Sequence, residues 1–155
     1  MAQSSAQSSL YDQDFVLWID ETVAQLKARD SDRLDWEHLI EELEALGISQ
    51  RHEAENRLKT ILAHILKRCY VPLPTCFRGW QVTIRMQRND LRRLLKKAPS
   101  LRNHLISELT NLYQEALSEV VEEYPDGFFP AASAFNLDLD VILENILWDS
   151  EESAF

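Results

Sequence analysis

The chain has 155 residues, 27% of them charged and 45% hydrophobic, with a net charge of −10. That length favours one domain and a core that needs no disulfide or metal staple, and only three glycines and five prolines favour long helices over tight turns. The global acidity argues against bulk attraction to nucleic acid or membranes, although residues 78–104 carry +7 against −5 for 1–77 and −12 for 105–155.

The first nine residues, MAQSSAQSS, lack the basic start and apolar run of a signal peptide. They read as a disordered tail before a single helical domain over 10–155. The first helix runs from about Tyr11 to Lys27, with Phe15, Trp18, Ile19, Thr22, Val23 and Leu26 on one face. A polar turn, RDSDR, follows. The second helix starts at Asp35, a good N-cap, and stops at Gly47, a good C′ residue. Ser49 caps a third helix reaching about Tyr70, with a stripe of Ala54, Leu58, Ile61, Leu62, Ile65 and Cys69.

VPLPTCF (71–77) breaks that helix, because each proline removes a donor and restrains its predecessor. The fourth helix runs from about Arg78 to Lys97 with Trp80, Ile84, Leu91, Leu94 and Leu95 facing in. The fifth spans about 101–124, on Leu101, Leu105, Leu109, Leu112, Ala116 and Val120. PDG (125–127) is a turn, FFPAASAFN an apolar loop laid over the bundle, and a short last helix covers about 138–147. The expected fold is all-α: a bundle of about five main helices plus a short C-terminal one. No apolar run approaches the ~20 residues of a membrane span. Cys69 and Cys76, outside any CxxC or Cys/His zinc spacing, read as reduced thiols of a cytoplasmic protein.

Two charge rows are the candidate chemistry. In LDWEHLIEELEALG (34–47), Trp36, Leu39, Ile40, Leu43 and Leu46 form the expected buried stripe, while Glu37, Glu41 and Glu44 line up beside it at about 80–140° on the helical wheel. His38 and Glu42 lie on the far side, able to pair at i, i+4. Glu37, Glu41, Glu44 and His64 make a candidate polar seam between helices. The order His38-x-x-Glu41, without a second copy, is not the Glu-x-x-His of di-iron bundles, so the glutamates read as a charge row at a packing edge, and neither metal nor cofactor is expected.

The second row is Arg78, Arg85, Arg88 and Arg92, with Lys96, on the fourth helix. Guanidinium groups grip phosphates bidentately and Trp80 offers a base-stacking face, so Arg78, Trp80, Arg85, Arg88 and Arg92 form a candidate nucleic-acid site. The competing reading pairs these arginines internally with the acidic row Glu108, Glu115 and Glu122 and with that of the second helix. Glycines at 47, 79 and 127 build no phosphate loop, dinucleotide fingerprint or nucleophile elbow.

YDQDFVLWIDETVAQL (11–26), LDWEHLIEELEALG (34–47), RLKTILAHILK (57–67), RGWQVTIRMQR (78–88) and PSLR (99–102) resemble, in order, a bacterial family common in cyanobacteria and known as domain of unknown function 29. The resemblance implies an all-helical protein without an assigned activity and lends weight to Trp36, Glu41, Glu42, His64, Trp80, Ile84 and Arg88. Taken together, the sequence points to a non-enzymatic module that binds another protein, with the acidic C-terminal third and Phe128 and Phe129 as contact surface. Nucleic-acid binding through the fourth helix, and a metal-dependent enzyme built on Glu41, Glu44 and His64, are the rival readings, and self-association is compatible with all three.

Overall fold

The computed structural model describes residues 9–130 and 137–148. Among them are six α-helices and no strand: α1 (Leu10–Gln13), α2 (Phe15–Lys27), α3 (Trp36–Tyr70), α4 (Pro74–Lys97), α5 (Leu101–Glu123) and α6 (Leu139–Glu144). The all-α bundle expected from the apolar periodicity is what forms. Residues 1–8 of the expected 1–9 tail and most of the FFPAASAFN loop (131–136) lie outside the described residues, while Ser9 caps α1 by accepting from the Asp12 amide.

The chain divides into two compact units at Ile48/Ser49. The first is a helical hairpin. Its expected single first helix is split because Asp14 adopts an extended backbone (φ −150°) and accepts from the Leu17 amide, capping α2. α2 ends on a Schellman motif: the Arg29 amide donates to the Leu26 carbonyl and that of Asp30 to the Gln25 carbonyl. Arg29 takes the left-handed position (φ 57°), the only non-glycine among the described residues to do so. A 3₁₀ turn, Ser31–Arg33, leads to α3, whose first turn Asp35 caps through the His38 amide.

Gly47 does not stop the helix. α3 runs unbroken for 35 residues, because no glycine takes the positive φ that a C′ stop requires. A mid-helix glycine costs about 1 kcal/mol relative to alanine, a penalty packing easily overrides.

The second unit holds the core. From α3 come Ala54, Leu58, Ile61, Leu62, Ile65 and Leu66, from α4 Ile84, Leu91 and Leu94, and from α5 Leu101 to Val120 at helical spacing. α6 adds Leu139, Ile142 and Leu143, packing against α4 and α5. α4 begins earlier than expected, with Pro74 in its first turn, where the missing N–H is no loss. At the PDG turn the Gly127 amide donates to the Tyr124 carbonyl. A Cβ on Gly127 would sit 2.7 Å from the Phe129 ring, so that ring packs where only glycine leaves room.

Charge pairs stitch the rim of this unit. Lys59 reaches Glu119 (2.9 Å) and Glu115 (3.6 Å), Lys67 pairs with Glu123, Arg57 with Asp90 (3.2 Å) and His104 with Glu55 (2.5 Å). The acidic helix α5 therefore finds its cations on α3, not in the arginine row of α4. Among the described residues no helix is long and apolar enough to cross a membrane.

Candidate interaction face

The hairpin is held by a polar knot. The Tyr11 hydroxyl donates to Glu42 Oε1 at 2.5 Å, and its ring stacks on His38 at 3.9 Å. His38 Nδ1 donates to Asp35 Oδ2 at 2.6 Å, and Trp18 Nε1 donates to that same oxygen at 3.2 Å. Trp18 meets both rings edge-on. Along α1 and α2, Tyr11 meets Glu42 and Trp18 meets Asp35, so this strand of helix runs opposite to α3.

The electrostatics follow from the bonds. The hydrogen bond to Asp35 raises the His38 pKa, and the hydrogen bond from His38 lowers that of Asp35. The bond to Glu42 pushes Tyr11 up to about 12. The i, i+4 pairing expected between His38 and Glu42 does not form. His38 turns back one turn to Asp35, leaving Glu42 for Tyr11.

This knot decides what the hairpin buries. Its contact edge on α3 is His38 and Glu42 with Leu39, and on α2 it is Trp18. The apolar stripe lies about 100° round from that edge on each helix. The expected burial of that stripe is therefore overturned: Trp36 is 51% exposed, Ile40 53%, Leu43 61% and Leu46 58%. On α2, Phe15, Ile19, Val23 and Leu26 are exposed too. For helices running in opposite directions, an equal turn from the contact edge brings both stripes to one side. In the register that sets Tyr11 against Glu42 and Trp18 against Asp35, Phe15 and Ile19 fall level with Trp36 and Ile40, while Val23 and Leu26 lie beyond the start of α3. Trp36 is held in place there, its indole N–H donating to the Ser31 carbonyl at 3.0 Å.

Glu37, Glu41 and Glu44 are exposed beside this stripe and make no hydrogen bond or ion pair among the described residues. His64 belongs to the second unit. Its Nδ1 donates to the Thr60 carbonyl at 2.9 Å, and burial lowers its pKa, which favours the neutral ring. The four residues of the expected seam are not brought together, and no group of three His, Cys, Asp or Glu able to hold a metal occurs among the described residues.

The arginine row divides. Arg78 and Arg85 are exposed. Arg88 is buried, donating from Nε to the Ile142 carbonyl (2.8 Å) and from a terminal nitrogen to that of Asn145 (2.7 Å). Arg92 donates to the Leu143 carbonyl. These carbonyls end α6, where a helix has no partners of its own and welcomes positive charge. Trp80 is buried against Phe77 and Tyr124, with no face left for a base. Burial thus withdraws Trp80 and Arg88 from the proposed phosphate site. Phe128 is 85% exposed, whereas Phe129 packs inward on Tyr70.

Arg68 is a feature the sequence did not single out. It is buried with its guanidinium 3.8 Å above the Phe77 ring and 5.7 Å from that of Trp148, and its Nε has no hydrogen-bond partner among the described residues. The polar knot was missed as well, although Asp35-x-x-His38 directly before an apolar run carries the signal of a capping residue that also grips a ring.

An all-helical protein with a stitched four-helix core and a hairpin open along its apolar side is the class these observations define. The chain matches the family described as Domain of unknown function DUF29 over residues 10–147 and belongs to that family. No curated protein and no solved structure matches it.

Proposed function

We propose that this protein is a cytoplasmic, non-enzymatic protein-interaction module whose contact surface is the hairpin of α2 and the first turns of α3. The observation that carries this reading is the open stripe of Trp36, Ile40, Leu43 and Leu46, with the exposed Phe15 and Ile19 of α2 beside its first turns. A helix normally turns its apolar stripe inward, and this hairpin closes through its polar edge instead, leaving the stripe for an external occupant. The sequence pointed first to Phe128 and Phe129. Phe128 keeps a part as an exposed aromatic, and Phe129 does not.

The test compares tagged full-length protein with its Leu43→Ser and Phe128→Ser variants in native cells. A protein captured by the wild type is identified and purified, and its binding measured directly. Loss of that binding in Leu43→Ser, with unchanged circular dichroism and melting temperature, is the expected outcome. Binding that survives Leu43→Ser and fails in Phe128→Ser would move the contact to the C-terminal region. Capture of nucleic acid alone would overturn the reading.

A further inference from the structure

Two helices running in opposite directions, with apolar side chains exposed on one side where they overlap at Phe15, Ile19, Trp36 and Ile40 and continuing along α3 to Leu43, offer a seat for a third. The missing third is a helix with its own apolar stripe, laid into the groove and anchored at i, i+3, i+4 and i+7. Charge then separates the candidates. Residues 1–48 carry eleven Asp/Glu against three Lys/Arg, a net of −8. A second copy would set −8 against −8 across the interface, and an anionic lipid surface would be repelled in the same way. Glu37, Glu41 and Glu44 form the rim of the stripe on α3, and none of them makes an ion pair or hydrogen bond among the described residues. Exposed carboxylates without partners, flanking an open apolar stripe, complement a partner that is apolar in its centre and basic at its edges.

From this we infer that the occupant of the hairpin is a cationic amphipathic helix of another protein. Its apolar side fills the groove along Trp36, Ile40 and Leu43, and its lysines and arginines pair with Glu37, Glu41 and Glu44. The inference rests on the interaction reading above and narrows it to one partner chemistry. Trp36, fixed by its bond to Ser31, serves as the rigid aromatic anchor such interfaces favour.

The test uses the full chain and synthetic helices of about five turns with leucines at i, i+3, i+4 and i+7. Three versions place lysine, glutamine or glutamate at the remaining positions, and calorimetry reads the binding. The lysine helix is expected to bind, the glutamine helix about tenfold more weakly and the glutamate helix not at all. Raising salt should erase most of the lysine advantage. Leu43→Ser should abolish binding. Glu37→Gln combined with Glu41→Gln and Glu44→Gln should cost about tenfold while leaving the melting temperature in place.

Equal binding of the lysine and glutamine helices, unmoved by the triple variant, would overturn the cationic partner while leaving an interaction module standing. Lysine-helix binding that survives Leu43→Ser would be charge attraction to an acidic protein and would overturn the groove. Self-association lost in Leu43→Ser would give the face to a second copy and overturn the inference. Absence of binding by every helix, with a native partner that still needs Leu43, would overturn the inference and spare the function. Absence of both would overturn the two together.

Discussion

The hairpin and the four-helix unit use the same amino-acid types in opposite places. In the four-helix unit Leu58, Ile61, Leu62, Leu105 and Val120 are sealed and the ion pairs ride outside. In the hairpin the internal contacts are tyrosine, histidine, aspartate and glutamate around Trp18, and the aliphatic stripes are outside. Apolar periodicity shows that a face is to be covered. It does not say whether the cover comes from the same chain.

The most forceful way to break this comparison is to truncate one leucine in each region. Leu62→Ala removes a fully buried side chain and is expected to cost about 2–5 kcal/mol. Leu43→Ala, on the open stripe, is expected to stay within about 0.5 kcal/mol of the wild type. Chemical denaturation of the two variants reads both. A Leu43→Ala cost approaching that of Leu62→Ala would mean that the stripe is core after all.

The two regions also differ in how they meet acid. His38 has a raised pKa, so its contribution is complete below the unfolded value of ~6.5 and fades as pH rises through the folded one. The lowered pKa of Asp35 makes its contribution present above ~3.9 and lost as pH falls through its folded value. The knot is thus firmest between those limits. His64 has a lowered pKa, so its contribution is present above ~6.5 and is lost on acidification. Histidine-resolved NMR titration should place His38 above ~6.5 and His64 below it, with Asp35→Asn returning His38 towards ~6.5. The reverse order of the two histidines would remove the distinction.

The smallest expected effect sharpens the picture of the hairpin alone. Arg29 occupies a left-handed position that glycine fills without strain. Arg29→Gly should stabilise the hairpin by up to about 1 kcal/mol, seen as slower amide exchange at the end of α2. Faster exchange there would mean that the arginine side chain contributes more than its backbone costs.

Much of this architecture was legible. The stripes expected for α3 beyond Ser49 and for α5 are buried almost residue for residue, because a 3.6 period tied to a core leaves little choice. Beyond the polar knot, Arg68 and the open stripe, further features were not. Gly47 has the residue type of a helix stop, but glycine only permits the left-handed conformation and does not impose it, and Gly47 stays helical inside α3. Asp14 has the chemistry of a cap and sat unnoticed inside an apparently continuous period. Arg88 and Arg92 showed the spacing of a phosphate row, and their partners are carbonyls some fifty residues away, which no side-chain pattern announces. The family resemblance was legible from five short segments, and the family match over 10–147 bears it out.

Of the four tryptophans, Trp18 and Trp80 are buried, Trp148 is half-buried, and Trp36 alone is exposed. Its indole stands in water on the very stripe that awaits an occupant, while its N–H stays tied to Ser31. The chain therefore carries a native optical label. A red-shifted, acrylamide-accessible component of its emission belongs to Trp36, and anything that settles on the hairpin dims or shifts that component without a dye being attached.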